Sequence, residues 1–312
     1  MCPERFDHFM ARANAAYYAT HNPFEDFTTA PELTQVFGEI LGAWARVVAQ
    51  MMGNPADLQL VEAGAGRGIM MADMLRGFGA ANVHFIETSP RLRAEQAKHV
   101  PNAIWHDNLT SLPNRPTIFI ANEFLDALPV RQFIRRAQGW CERYVADGIY
   151  VEQVSDIDLP AAPEGSVQEI NEAAGTLVTQ LAEREVVGLF IDYGPLQGGF
   201  GESVQAIRNG KYANPLEAPG QADITAHVDF SALVQSAATA GAQAQGPVKL
   251  NAFLTALGFM QRTDILAQRN PAMSDKLRRA AQRITAPEAM GSLFKVLAIC
   301  PKGFPTLPGF EV

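Results

Sequence analysis

"LVEAGAGRGIMMADML" (Leu60–Leu75) is the stretch that decides the fold. A short apolar run closes on Glu62, glycines follow at alternate positions, and apolar residues then recur at helical spacing. Glycine at Gly64, Gly66 and Gly68 allows the backbone to turn tightly and to approach a ligand closely. The helix that follows offers free N–H groups in its first turn. The stretch therefore predicts a strand, a ligand-binding turn and a helix.

The spacing of the glycines separates this turn from two common nucleotide-binding turns. In a GxGxxG pattern counted from Gly64, the third glycine position falls on Ile69, and no Lys-Ser/Thr pair follows to make a P-loop. The carboxylate of Glu62 would repel a pyrophosphate but would bind an ammonium group. S-adenosylmethionine carries an ammonium group and no phosphate, so the stretch favours this cofactor. A dinucleotide oxidoreductase is a distant alternative.

Strands and helices alternate along the middle of the chain. This alternation predicts an α/β fold with a doubly wound, mostly parallel sheet, in which ligands bind at the carboxyl ends of the strands. The predicted strands are 58–63, 82–88, 103–107, 116–123 and 186–194, and the predicted helices between them are 67–77 and from Pro90 to about Lys98.

The second and third of these strands also end in acidic residues. Glu87, with Thr88 beside it, is placed to accept hydrogen bonds from ribose hydroxyls. Asp107, with Asn108 beside it, is placed to accept from an adenine amino group, although Asp107 alone also fits a turn cap. Acids that close three successive strands are a stronger signal for a nucleoside than the glycines alone.

The outer segments of the chain predict additions to this core. Residues 5–20 and 31–52 are predicted helices, 132–146 a hairpin turning near Gln138, and 193–246 a long loop-rich connection. A helical stretch at 272–284 precedes a final strand at 292–299. The predicted organisation is an N-terminal helical extension at 1–55, a cofactor-binding core at 56–192, an inserted cap and substrate region at 193–285, and the last strand with a tail at 286–312.

Composition narrows the classes of partner. The 312 residues carry a formal net charge of −8, which disfavours nucleic acid, and no apolar run has the length of a membrane span. The N-terminus does not look like a secretion signal or a transit peptide. The three cysteines are scattered without CxxC spacing, so neither a disulfide framework nor a metal site is expected. These features predict a reducing, cytoplasmic location, whereas the oligomeric state stays open.

Several blocks of the sequence together resemble one family. They are "EDFTTAPELTQVFGE" (25–39), "VEAGAGRG" (61–68), "HFIETSPRLRAEQ" (84–96), "IANEFLDALPVRQF" (120–133), "IDYG" (191–194), "QADITAHVDF" (221–230) and "TAPEAMGSLFKVLAI" (285–299). The chain resembles the MidA-type family of S-adenosylmethionine-dependent methyltransferases, which includes a mitochondrial complex I assembly factor that methylates arginine. The resemblance covers almost the whole chain and implies a Rossmann-like sheet of the class I methyltransferase type. Glu25 stands where the family usually has glycine, and Thr28 where it has tyrosine.

The resemblance implies that an arginine side chain of a protein, possibly in a respiratory NADH dehydrogenase subunit, is the methyl acceptor. Carboxylates near the methyl group would offset the repulsion between guanidinium and sulfonium and hold the planar fork. Glu123 is the first candidate for that carboxylate, and Asn122 is a candidate for holding either the cofactor's amino acid or the substrate. Asp126 is either a second clamp or a helix N-cap. His227 is a candidate proton acceptor, because its ordinary pKa lies near neutrality.

Two other functions remain open at this level. One is methyl transfer to a small molecule, and the other is an assembly chaperone that binds the cofactor with little catalysis. An enclosed narrow pocket would favour the first, whereas an open acidic groove leading to Glu123 would favour a peptide.

Overall fold

A central sheet organises the chain in the computed structural model, which describes residues 2–21 and 28–311. The strands are β1 Glu4–Arg5, β2 Gln59–Ala63, β3 Asn82–Ile86, β4 Ile104–His106, β5 Thr117–Asn122, β6 Arg131–Arg136, β7 Gly139–Ala146, β8 Ile149–Val154, β9 Val167–Ile170, β10 Val186–Tyr193, β11 Gln205–Arg208, β12 Lys211–Ala213, β13 Asp223–Thr225, β14 Ala242–Lys249 and β15 Phe294–Pro301. The helices are α1 Phe6–Thr20, α2 Ala30–Leu33, α3 Gln35–Met51, α4 Ile69–Phe78, α5 Pro90–His99, α6 Glu172–Ala182, α7 Phe230–Thr239, α8 Leu250–Ala256, α9 Phe259–Arg269 and α10 Ser274–Thr285.

In the described part of the chain, seven strands form the main sheet in the order β14-β15-β10-β5-β2-β3-β4. The strands from β10 to β4 run parallel, and β15 runs antiparallel to both of its neighbours. The register aligns the carboxyl ends, since Ala63 of β2 lies opposite both Ile86 of β3 and Ala121 of β5. The prediction of an α/β fold with a mostly parallel sheet is confirmed, and the sheet is mixed because of β15.

Successive residues of the buried strands supply both faces of the sheet. Leu60 of β2 packs in the cluster formed with α3 and α4, whereas Val61 packs in the cluster formed with α6 and α7. Every residue of β2 and β5 is buried, so these strands are covered on both sides. This burial fixes the strand ends on which the site is built.

Smaller sheets and helix α1 lie outside the main sheet. One sheet has the order β1-β7-β6-β9 with β8 on β7, and a three-stranded sheet has the order β12-β11-β13. Phe6, Phe9 and Met10 of α1 pack with residues of both sheets, including Val145 and Ile224. Helix α1 is therefore held between the two small sheets.

Some predicted elements differ from the structure in extent. The hairpin is present as β6 and β7, and the last strand is β15. The predicted helix at 31–52 is divided into α2 and α3, because Thr34 is extended and its side chain accepts a hydrogen bond from the N–H of Val36. Helices α6 to α9 and strands β1, β8, β9 and β11 to β14 have no counterpart among the predicted elements. The segment 193–285 includes β14, which lies in the main sheet, so the part of it outside the sheet is smaller than predicted.

Within residues 2–21 and 28–311, no helix has the length and apolar character that crossing a membrane requires.

Candidate active site

A cavity of about 610 Å³ lies at the carboxyl end of β2, where the order of the strands in the sheet changes from one side to the other. Strands β3 and β4 lie on one side of β2, and β5 and β10 lie on the other. A crevice forms at such a point, outside the carboxyl ends of the strands. The sequence-predicted residues that line the cavity are Glu62, Gly64, Gly66, Glu87, Thr88, Asp107, Asn122 and Glu123. The four predicted residues outside this lining are Gly68, Asn108, Asp126 and His227.

The glycine turn after β2 has the conformation that glycine permits. Gly64 has a φ of +65°, and a Cβ added there would lie 2.5 Å from Cδ2 of Phe124. Gly68 has a φ of +79° and precedes α4, where an added Cβ would lie 3.1 Å from Cα of Gln96. Gly64 thus shapes the cavity, and Gly68 allows α4 and α5 to pack closely.

Glu62 is a buried acid without a full set of partners. Its side chain is 3% exposed, and Oε2 has no hydrogen-bond partner among the described residues. Burial raises the pKa of Glu62 to about 8. Because an unpaired buried carboxylate is costly, the position suits a ligand that brings a positive charge. An ammonium group meets that requirement.

Glu87 and Asp107 occupy the next two strand ends, with different surroundings. Glu87 is buried, Oε1 accepts from the N–H of Ser89 at 2.8 Å, and Oε2 accepts from Nε2 of Gln96 at 3.2 Å. Burial raises the pKa of Glu87. Asp107 is largely exposed and pairs with Nη2 of Arg93 at 2.6 Å. The two acids nevertheless face one cavity, as the sequence predicts for a nucleoside.

Asn108 has a local structural role. Its Oδ1 accepts from the N–H groups of Thr110 and Ser111, at 3.1 and 3.3 Å, and so caps a short 3-10 turn. The cap prediction made for Asp107 therefore fits its neighbour Asn108, which does not line the cavity.

Asn122 and Glu123 end β5 at the floor of the cavity. Glu123 has a φ of +50°, which is uncommon for a residue with a side chain and marks a constrained position. Its Oε1 accepts long hydrogen bonds from Nδ2 of Asn122 at 3.3 Å and from the N–H of Ala30 at 3.4 Å. Oδ1 of Asn122 is buried and has no partner among the described residues. Burial, and then the charge of Asp126, raises the pKa of Glu123 to about 8.

A group of polar side chains lies behind Glu123. Oδ2 of Asp192 accepts from the N–H groups of Phe124, Leu125 and Asp126, at 3.2, 2.9 and 3.2 Å. Burial raises the pKa of Asp126 to about 6, and a hydrogen bond with the Tyr193 side chain opposes this shift. The predicted N-cap role of Asp126 is wrong, because no helix follows it, and the residue lies beside Glu123 and outside the cavity lining.

His227 lies away from the cavity lining. Its side chain is exposed and meets the ring of Tyr193 edge-on, with ring centroids 5.6 Å apart. The N–H of His227 donates to Oγ of Ser203 at 2.8 Å. Tyr193 in turn forms a hydrogen bond with Asp126, so the role of His227 as proton acceptor stays a prediction. Asp229, two residues later, caps α7.

Sequence reasoning missed the contribution of α1 and of an ion pair. Asn14 and Tyr18 of α1 line the cavity, and the hydroxyl of Tyr18 donates to Oδ1 of Asp223 at 2.7 Å. Arg67 pairs with Glu32, and both line the cavity. Polar residues at i and i+4 of α1 were the available signal, but the same spacing describes any solvated helix face. Glu25 lies outside the described residues.

The fold and the site together define a nucleoside-binding α/β enzyme of the methyltransferase class. The family model "Putative S-adenosyl-L-methionine-dependent methyltransferase" matches residues 40–248. The chain belongs to this family, and S-adenosylmethionine is accordingly its cofactor. The buried, unpartnered Oε2 of Glu62 fits the ammonium group at the amino-acid end of such a molecule.

Curated relatives and solved structures agree with this assignment. The human protein arginine methyltransferase NDUFAF7, mitochondrial, is 30% identical over 88% of this chain and 74% of its own length. The homologue of that protein in Caenorhabditis elegans is 31% identical over 89% of this chain and 75% of its own length. A Burkholderia thailandensis structure bound to S-adenosyl-homocysteine is 25% identical, covers 98% of this chain and 90% of that chain, and has a TM-score of 0.83.

These relatives contradict one prediction from the sequence. The expected cytoplasmic location is wrong by this comparison, because the curated relatives are named as mitochondrial proteins. Scattered cysteines indicate a reducing environment, but they do not identify the compartment that provides it.

Proposed function

We propose that this methyltransferase transfers the methyl group of S-adenosylmethionine to an arginine side chain of a protein. The observation that carries the proposal is the position of Glu123, an acid at the cavity floor with Asp126 and Asp192 behind it. A cluster of carboxylates favours a cationic methyl acceptor. The names of the curated relatives, which are protein arginine methyltransferases, support the same acceptor.

The strand ends would hold the cofactor by its separate parts. Glu62 would accept from the ammonium group, Glu87 from the ribose hydroxyls and Asp107 from the adenine amino group, while Gly64 and Gly66 leave room for the backbone to approach. The bound cofactor supplies an activated methyl group on a sulfonium. All five residues line the same cavity.

Glu123 would act on the acceptor. Its carboxylate accepts hydrogen bonds from the guanidinium fork, orients one nitrogen toward the methyl group and offsets the charge of the sulfonium. A guanidinium nitrogen that gains a methyl group loses one proton. With a pKa of about 8 in the free protein, Glu123 ionises when the cationic guanidinium binds beside it, and the carboxylate then accepts that proton. Asn122 holds either the cofactor or the acceptor by its amide.

The finer proposal for the target is a subunit of a respiratory NADH dehydrogenase. It rests on the resemblance of the sequence blocks to the MidA-type family, and a labelling experiment can identify the specific subunit.

In that experiment, the purified protein is incubated with isotopically labelled methyl donor and a lysate from cells that lack the protein, and the labelled residue is found by mass spectrometry. Label on an arginine of a protein is expected. Label on lysine, on a carboxylate or on a metabolite would overturn the arginine assignment.

Replacing Glu123 separates catalysis from a contact-based chaperone role. We expect Glu123→Gln to lower the rate of methyl transfer by about 100-fold or more, as loss of one charge-stabilising group in an active site typically does. Affinity for S-adenosyl-homocysteine, measured by calorimetry, should change by less than about threefold, which is below 0.7 kcal/mol. The matched control is Glu183→Gln at the exposed end of α6. Full cellular function of Glu123→Gln in the strain that lacks the wild-type protein would favour the chaperone.

A further inference from the structure

Helix α1 forms one wall of the cavity along two turns. Ala11, Asn14, Ala15, Tyr18 and Ala19 all line it. Their spacing of three and four residues places them on one face of the helix. With a rise of 1.5 Å per residue, Ala11 and Ala19 are about 12 Å apart along the axis. The two ends of this face therefore contact different parts of the cavity.

The C-terminal end of α1 lies over the ribose side. The carbonyl of Tyr18 accepts from Oγ of Ser89 at 3.0 Å. The N–H of Ser89 in turn donates to Oε1 of Glu87 at 2.8 Å. Ala19, the next residue along α1, therefore faces the part of the cavity assigned to the nucleoside.

The middle of α1 is fixed to the turn that follows Glu123. Nδ2 of Asn14 donates to the carbonyl of Ala127 at 3.0 Å and to that of Ile224 at 2.8 Å, and Oδ1 accepts from the N–H of Ile224 at 3.1 Å. Ala127, Leu128 and Pro129 line the cavity beside it. We call this part the acceptor arm, defined by Ala11, Asn14, Ala127, Leu128 and Pro129. None of its residues belongs to the strand ends assigned to the cofactor.

The walls of the acceptor arm are mainly aliphatic, and its polar groups are at the inner end. Both N–H donors of Asn14 are used by backbone carbonyls, and its Oδ1 accepts from the N–H of Ile224. At the inner end, Asn122 is 9% exposed, lines the cavity and has an unpartnered Oδ1, with Glu123 next to it. These oxygens can accept hydrogen bonds, and aliphatic side chains line the way to them. The arrangement therefore matches a side chain with a methylene stem and a group of N–H donors at its tip.

We propose that the acceptor arm receives the aliphatic stem of the target side chain, with its cationic head at Asn122 and Glu123, so that α1 separates acceptor binding from cofactor binding. The inference rests on the proposed function and deepens it. It names the passage by which the arginine side chain reaches Glu123, between Ala11 and Leu128. The small side chain of Ala11 leaves the space that the stem occupies.

The test uses two substitutions of the same kind at the two ends of α1. Both Ala11 and Ala19 are exposed, and leucine is a good helix former, so Ala11→Leu and Ala19→Leu should keep the fold, as checked by far-UV circular dichroism. The acceptor probe is Nα-acetyl-arginine amide, titrated by NMR into protein saturated with S-adenosyl-homocysteine. Nα-acetyl-citrulline amide is the uncharged control. S-adenosyl-homocysteine itself, titrated by calorimetry, reports the cofactor side.

We expect wild-type protein to bind the arginine probe more tightly than the citrulline probe. Ala11→Leu should raise the Kd of the arginine probe about tenfold and leave that of S-adenosyl-homocysteine within about twofold, whereas Ala19→Leu should do the reverse. Equal affinity of the wild-type protein for the two probes would overturn the proposal, and so would an effect of Ala11→Leu on S-adenosyl-homocysteine alone. If labelled lysate shows methylated arginine and Ala11→Leu methylates it with unchanged KM, the proposed function stands and the acceptor arm is wrong.

Discussion

Glu62 allows the link between the cofactor site and stability to be measured. We predict that the free energy of unfolding of the wild-type protein falls as the pH rises from 5 to 8, and that Glu62→Gln abolishes this part of the pH dependence. The ordinary pKa of 4.5 applies in the unfolded chain, whereas burial raises it to about 8 in the folded chain. The folded state therefore binds this proton more tightly. Its contribution is fully present below pH 4.5 and is lost as the pH rises toward 8.

The size of the effect follows from the pKa difference. One pKa unit corresponds to 1.36 kcal/mol, so the shift at Glu62 is equivalent to about 4 to 5 kcal/mol over the whole range. Water that enters the buried site on ionisation lowers this figure. It is still a large fraction of the stability of a typical domain.

Urea unfolding at pH 5 and pH 8 measures this contribution. The free energy of unfolding of wild-type protein should fall between the two pH values by at least about 2 kcal/mol more than that of Glu62→Gln. Glu183→Gln, at an exposed site, should follow the wild type. Parallel curves for wild type and Glu62→Gln would refute the reasoning, because they would mean that the folded state does not perturb this carboxyl group.

Cofactor binding gives an independent readout of the same carboxyl group. At pH 7 a group with a pKa of about 8 is mostly protonated, so a bound ammonium that requires the carboxylate should release close to one proton per molecule. Calorimetry of S-adenosyl-homocysteine binding in buffers of different ionisation enthalpy measures that release. Glu62→Gln should bind more weakly and release fewer protons. Equal release from both proteins would place the ammonium elsewhere.

Three further changes test other parts of the structure. Gly64→Ala should lower the free energy of unfolding more than Gly53→Ala. Both glycines have a positive φ, but only at Gly64 would the added Cβ lie 2.5 Å from an aromatic ring. Similar losses in urea unfolding would show that the protein relaxes this contact. Asp107→Asn should weaken S-adenosyl-homocysteine binding about tenfold in calorimetry. The Tm should change little, since an exposed ion pair contributes little to stability. A drop in Tm with unchanged affinity would indicate a purely structural role. His84 and His106 share a 2.9 Å contact, and burial lowers the pKa of both, so stability should fall as the pH drops through 6.5. The double variant His84→Phe with His106→Phe should lose less stability than wild type between pH 7 and pH 5, and an equal loss would place the effect at other groups.

The positions of the core strands could be predicted from the sequence, because they depend on patterns of neighbouring residues. Apolar runs bounded by polar residues identify strands covered on both faces, and glycines followed by helical spacing identify the turn after β2. The acids at the ends of those strands share one edge for a geometric reason, since parallel strands present their carboxyl ends together. Glu62, Glu87 and Asp107 accordingly face one cavity.

The parts that could not be read depend on contacts between distant segments. Helix α1 was predictable as a helix, but its face toward the cavity is set by hydrogen bonds from Asn14 to Ala127 and Ile224, which lie more than a hundred residues away. The φ of +50° at Glu123 is likewise not signalled by any local pattern in the sequence. His227 was predicted from its sequence block and its ordinary pKa, neither of which shows that it lies outside the cavity lining.

The difference between Asp192 and Glu62 shows what the structure adds to a pattern. Both are buried acids at the ends of parallel strands, and the sequence alone cannot distinguish their roles. Asp192 is satisfied by the protein, because its oxygens accept from the N–H groups of residues 124–126 and of Tyr193. Burial raises the pKa of both acids, but only Glu62 keeps an oxygen without a partner in the described chain. An acid that the fold satisfies shapes the loop that carries Glu123, whereas an acid left unsatisfied is completed by a ligand.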